Sequence, residues 1–227
     1  MKNRTAILIF ANSAEKEANL KPFFSSDVFA ILNKHTLKTV KKTRFSYYLF
    51  SEKEQIGNSF GCRFSNAIQT LFNKGYNNVI TVGNDTPHLK TSHLLEAKNK
   101  LVVNDLVIGP SKDGGFYLLA IKKEYFDKKT FLKLPWQTNR LQKSIATLYK
   151  HQKIKRLELL SDIDKKDDIK IILNSFKAIC STLLSLLIKH IQCSKKLIKF
   201  VSLFIKETNY TSKLNKGPPG VFVQLNF

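Results

Sequence analysis

Cysteine is scarce in this chain. Among 227 residues only Cys62, Cys180 and Cys193 carry thiols, an odd number with no CxxC spacing. That argues against a disulfide framework and against a zinc site. Acidic residues are short too: 17 Asp and Glu stand against 38 Lys and Arg, a formal net charge of +21. A charge of that size draws anionic partners such as phosphates or an acidic membrane face. A solubilising, lysine-rich surface has the same composition. Three signatures are missing. Without GxxxxGK[ST] or GxGxxG, phosphate-loop NTPases and dinucleotide dehydrogenases are poor fits; without GxSxG there is no nucleophile elbow. No stacking motif or recognition helix stands out, so nucleic acid is not expected as a partner. Long hydrophobic runs are lacking as well. Ala6 to Ala11 is too short for a signal-peptide core followed by a cleavage site. A cytoplasmic, reduced protein is the expectation.

What is present is an alternation of short apolar runs and helical patterns. Ala6-Ile7-Leu8-Ile9-Phe10 has the length and continuity of a strand buried on both faces. Similar strands are expected at 47–50, 78–82, 105–108 and 115–121. Val28, Ile31, Leu32 and Leu37 recur at helical spacing, as do Phe64, Ile68, Leu71 and Phe72, whose helix Gly75 closes. Residues 91–101 are a further helix, and 11–21 read as a polar loop. The pattern predicts an α/β fold with a mainly parallel sheet and helices on both faces. Such sheets present ligands at the carboxyl ends of their strands.

Two glycine-bearing motifs fall at those ends. Gly83-Asn84-Asp85-Thr86-Pro87 follows the third strand, and Gly109-Pro110-Ser111-Lys112-Asp113-Gly114-Gly115 follows the fourth. Asp85 offers a carboxylate on a stiffened turn, the oxygen donor that Mg²⁺ takes while leaving room for phosphates; a turn or helix-start carboxylate is the alternative. Gly114 and Gly115 let backbone amides approach a ligand, with Lys112 to offset its negative charge, and Asp-Gly is also a hairpin signal. The acidic run Asp162 to Asp168 precedes a helix, where capping and ligation are both open. His88 and His93 read as surface residues.

From Ser175 the character changes. Leu183, Leu184, Leu186, Leu187 and Ile188 cluster, and Leu197, Ile198, Val201, Phe204 and Ile205 follow among lysines. The first stretch, broken by Lys189 and His190, falls short of the roughly 20 residues that span a bilayer. A basic amphipathic tail lying on an anionic membrane through residues 178–206 is one reading. A helical pair packed on the domain or on a second subunit, giving a homodimer, is the other. The division expected is 1–174 for the α/β domain and 175–227 for the tail.

The order of these motifs resembles a known family. GNDTPHL, DLVIGPSKDGGFYLLAI, Trp136-Gln137-Thr138, and Asp162, Asp164 and Asp168 are similar to segments of bacterial glycosyltransferase-A-type proteins. That family is grouped with arsenosugar-biosynthesis glycosyltransferases and nucleotide-diphospho-sugar transferases. Gln55 to Arg63 matches its Gln-x-Gly-x-x-x-Gly-x-Arg stretch. The resemblance implies a Rossmann-like nucleotide-diphospho-sugar transferase fold. It implies Mg²⁺ or Mn²⁺ on Asp85 and Asp164, and Asp113 as a base. It places nucleotide or substrate on Ala11, Asn12, Ser13, Gly57, Arg63, Asn84, Thr86, Lys112, Gly114 and Gly115. The activity implied is metal-dependent glycosyl transfer from a nucleotide-diphospho-sugar. Nucleotidyl transfer to a sugar phosphate or phospho-acid, or a non-catalytic binding scaffold, are the alternatives. One departure stands out. Where relatives carry a loop of Lys, Pro, Gly, Lys and Arg for the nucleotide, residues 11–21 here lack the glycine and hold Glu15 and Glu17.

Overall fold

A computed structural model of the chain describes residues 4–173 and 181–192. In order the elements are β1 (Thr5–Phe10), α1 (Ala14–Leu20), α2 (Ser26–Lys41), β2 (Ser46–Phe50), α3 (Phe60–Asn73), β3 (Asn78–Val82), α4 (Thr91–Lys100), β4 (Leu106–Pro110), β5 (Phe116–Lys122), α5 (Lys128–Leu132), α6 (Leu141–Leu148), β6 (Ile154–Arg156), α7 (Lys166–Leu173) and α8 (Ser181–Gln192).

Six strands form one sheet in the order β2-β1-β3-β5-β4-β6. β1 pairs in parallel with β2 and β3, and β4 with β6. Among the described residues only β5 runs antiparallel, between β3 and β4. The Asp-Gly hairpin signal accounts for this. Five residues join β4 to β5, enough for a tight reversal and too few for a crossover. The reversal leaves β3 and β4 parallel to each other, so their carboxyl ends share one edge of the sheet with the start of β5.

The strand period sorts the apolar residues onto two faces. Ile7 and Ile9 of β1, with Ile80, Val82, Val107, Leu118 and Ala120, pack with Val40, Leu94 and Leu101. Ala6 and Leu8, with Val79, Ile108, Leu119 and Ile121, pack with Phe64, Ile68, Leu71, Phe131 and Ile145. Both layers are buried, as the continuous apolar runs required. Gly75 ends the turn after α3 at φ +85, a conformation that an L side chain resists.

Two expectations change. The segment after β1 is not a loop throughout: Ser13 accepts a hydrogen bond from the Lys16 amide and starts α1. His88 and His93 are buried rather than at the surface. Nδ1 of His93 accepts from the Lys90 amide at 3.2 Å, and Nε2 lies 3.4 Å from Glu158.

The chain divides into two units between Leu183 and Leu184. Of the expected tail, Leu183, Leu184 and Leu186 to Ile188 fall in α8; Leu197, Ile198, Val201, Phe204 and Ile205 lie outside the described residues. Among the described residues no helix is long and apolar enough to cross a membrane.

Candidate functional site

The carboxyl edge of the sheet opens into a cleft of about 730 Å³. One wall is aromatic. Phe10, Phe60, Phe64, Phe116 and Trp136 line it, with the Trp136 ring 5.1 Å from Phe64 and 5.6 Å from Phe60. The indole Nε1 donates to the Phe131 carbonyl at 2.7 Å, so its polar edge is tied into the protein. Gly61 makes room: a Cβ there would run into the Trp136 ring.

Other lining residues are charged. Asp85 leaves the end of β3, and Asp164 arrives from the segment before α7. Glu17 comes from α1, where Asn12 Nδ2 donates to it at 2.8 Å. Between these carboxylates sits the ammonium of Lys21. Its Nζ lies 2.7 Å from Asp164, 3.1 Å from Glu17 and 3.7 Å from Asp85, and donates to the Ile163 carbonyl at 3.3 Å. Burial alone would lower the lysine pKa. Asp85, Asp164 and Glu17 outweigh it and hold the ammonium above the usual lysine range. Burial pushes the Asp85 carboxyl up to about 6; Lys21 pulls it down, while Asp164 and Glu17 push it further up.

The acidic run before α7 divides into three roles. Burial, then the charge of Asp85, hold the Asp162 carboxyl well above the carboxylate range, against a hydrogen bond from Thr86. Asp164 faces the cleft. Asp168 turns back to accept from the amides of Asp164 and Lys165 at 2.8 and 2.7 Å, which caps the helix start.

The second glycine motif also meets the cleft. Asp113 accepts from the Ser111 hydroxyl and from the Gly115 amide at 2.9 Å through one oxygen, Oδ1. Its side chain lines the cleft with Ser111, Gly115 and Phe116. Gly114 stands at φ +91 against the Asn139 backbone, a position that admits no Cβ.

Of the residues singled out from sequence, Ala11, Asn12, Arg63, Asn84, Asp85, Asp113, Gly115 and Asp164 line this one cleft. Others stand back from it. Thr86 is buried and donates to Asp162. The Ser13 hydroxyl donates to Glu52 at 2.7 Å. Gly57 holds a turn at φ +137 beside Cys62. Lys112 is exposed. Sequence reasoning passed over Lys21, Glu17 and Asp162 as site residues. The i,i+4 spacing of Glu17 and Lys21 was the available signal.

A divalent cation needs open oxygen ligands. Here a cation between Asp85 and Asp164 would contend with Lys21 Nζ for the same oxygens. The residues do not fit Mg²⁺ or Mn²⁺ while Lys21 keeps this place.

Comparison with solved structures settles the architecture. A candidate nucleotide-diphospho-sugar transferase from Desulfovibrio desulfuricans G20 superposes with a TM-score of 0.64 at 20% identity, over 82% of this chain and 97% of its own. The fold is that of the nucleotide-diphospho-sugar transferases. The 4-diphosphocytidyl-2C-methyl-D-erythritol synthase of Anaerococcus prevotii DSM 20548 matches at a TM-score of 0.52 and 13% identity, over 74% of this chain and 96% of its own. The family described as "Uncharacterized protein conserved in bacteria (DUF2064)" matches residues 29–138. That segment runs from α2 to Thr138 and includes both glycine motifs, but not α1, Lys21 or Asp164. No curated protein matches the chain.

Proposed function

We propose that this chain is a transferase acting on a nucleotide-linked substrate, most specifically on a nucleotide-diphospho-sugar. The observation that carries the reading is the convergence of the two glycine motifs on one cleft at the carboxyl edge of the sheet. The shared fold supports it, since ligands of open α/β sheets bind at that edge. Arg63 and Lys165 line the cleft and supply positive charge for phosphate oxygens. The aromatic wall offers flat apolar faces to a sugar or base. Asp113, held by Ser111 and Gly115, has its second oxygen free to take a proton from an acceptor hydroxyl. The narrower kinship with arsenosugar-biosynthesis glycosyltransferases is part of this proposal.

Asp85 and Asp164 are the oxygen donors that Mg²⁺ or Mn²⁺ would take if Lys21 swung away. When bound, such an ion would neutralise a leaving diphosphate.

A thermal-shift screen of nucleotides and nucleotide sugars, in EDTA and in Mn²⁺, tests the reading. At least one of them should raise the melting temperature, and Asp113→Asn should leave that shift intact while abolishing turnover. If no nucleotide or nucleotide sugar binds under either condition, the reading fails. Nucleotidyl transfer is the second reading, favoured by the fold shared with the Anaerococcus synthase. Release of pyrophosphate from an NTP would establish it; release of a nucleoside diphosphate would establish glycosyl transfer. The expected contact of residues 178–206 with anionic lipid is a separate proposal. Vesicle co-sedimentation with and without those residues tests it, and loss at high salt marks lysine electrostatics.

A further inference from the structure

The acidic pocket at the end of β3 already holds a cation, and that cation belongs to the chain. Four oxygens surround Lys21 Nζ: carboxylate oxygens of Asp164 at 2.7 Å, Glu17 at 3.1 Å and Asp85 at 3.7 Å, and the Ile163 carbonyl at 3.3 Å. They come from α1, from the loop after β3 and from the segment before α7. Carboxylate and carbonyl oxygens converging from separate elements are what a hard cation requires. We propose that Lys21 is the resident cation of this site: its ammonium takes the place of Mg²⁺ or Mn²⁺ among Glu17, Asp85 and Asp164, and the cleft receives its ligand without a divalent ion.

The local structure delivers the lysine there. Ser13 caps α1, and Glu17 is turned inward by Asn12. The Lys21 amide then donates to the Glu17 carbonyl at 2.8 Å and ends the helix. One helical turn thus sets Glu17 and Lys21 on the same side. The segment from 11 to 21, which has no glycine, is the segment that makes this turn. Glu17 is therefore not a bare charge facing a phosphate, since the ammonium lies against it. A divalent ion entering the cage would have to expel Nζ from three oxygens within hydrogen-bonding distance. The ligand's own charge then falls to Arg63 and Lys165 on the rest of the cleft, with Lys21 acting through space. The inference rests on the proposed function only for what the ligand is; the cage is independent of it.

Mn²⁺ binding followed by electron paramagnetic resonance is the test, on the full chain. The wild type should leave added Mn²⁺ free. Lys21→Met, which keeps the length and removes the charge, should gain at least roughly tenfold in Mn²⁺ affinity, because the competing cation is gone. Lys21→Met combined with Asp164→Asn should lose that gain. Lys21→Arg, which restores a cation, should be as blind to Mn²⁺ as the wild type, and it serves if Lys21→Met does not fold. Stoichiometric Mn²⁺ on the wild type, abolished by Asp85→Asn, would overturn the inference. So would a folded Lys21→Met that gains nothing. CTP and UDP-glucose separate the two readings. A thermal shift equal in EDTA and in Mn²⁺ supports both. A shift seen only with Mn²⁺ overturns the role of Lys21 and leaves the transferase reading standing. No shift under either condition removes the transferase reading, while the resonance result still decides for or against Lys21.

Discussion

Replacing Lys21 by Met removes one positive charge from the middle of three carboxylates, and the cost follows from the geometry. At an effective dielectric of about 20, unit charges at the Asp164 and Glu17 distances attract by roughly 5–6 kcal/mol each before any opposing term. The ammonium's own desolvation offsets several kcal/mol of this. Water screens the Asp164 contact, since that side chain is 39% exposed, whereas Glu17 at 11% is sheltered. Removing one member of a buried pair usually costs about 3–5 kcal/mol; with the exposure discounted, about 2–4 kcal/mol is expected at pH 8. The loss should depend on pH. Lys21 pulls the Asp85 carboxyl down, so its removal raises that carboxyl further above its value of about 6. A carboxyl whose folded pKa is raised contributes stability that is full below its unfolded value of about 3.9 and is lost as pH rises through the folded value. The Asp85 part of the Lys21→Met deficit should therefore be absent near pH 4 and grow through pH 6 and beyond, on top of the Asp164 and Glu17 part. Urea melts of both proteins from pH 4 to 9 measure it. A deficit that stays flat across that range, or below about 0.5 kcal/mol at pH 8, would refute the claim that the ammonium balances these carboxylates.

Asp85→Asn should behave in the opposite sense. The amide cannot ionise, so the variant should gain on the wild type by about 1–3 kcal/mol as pH rises from 4 to 8, measured by the same melts. Gly61→Ala puts a methyl group into the Trp136 ring and should cost about 1–3 kcal/mol of stability, with a shift in tryptophan emission that a remote substitution would not give. Gly114→Ala forces a side chain onto a positive-φ residue pressed against Asn139, at about 1–3 kcal/mol. It should weaken binding of UDP-glucose or CTP beyond any loss of fold, as read by titration calorimetry on the folded fraction.

The strands were legible because their signal is local. The run Ala6 to Phe10 is apolar on both faces, and that requires helices on either side. The placement of Asp85 at a strand end followed from Gly83, and the β4–β5 reversal from Asp113-Gly114, although the sequence did not reveal that β5 would insert between β3 and β4. Segment 11–21 has too few apolar residues for a helical pattern to show. Its helix is held by a serine cap and by a charge contact that no local pattern displays. Polarity alone puts the histidines at the surface, whereas contacts with Glu158 and the Lys90 amide keep His93 inside. The acidic run at 162–168 is visible as a cluster, yet its separation into an Asp162 that accepts from Thr86, an Asp164 paired with Lys21 and a capping Asp168 depended on what each one met.

By itself the sequence determined the layered α/β architecture, because continuous apolar runs and glycine-terminated strands are short-range properties that any compact solution must respect. It also named the two motifs at the sheet edge. Only the tertiary structure decided what lies between them. Lys21 and Asp164 are 143 residues apart, and their contact exists only because β1 and β3 lie side by side and carry α1 and the Asp85 loop to the same corner. Charge acts across space rather than along the chain, so the cation of this site could be read only once the fold had brought it there.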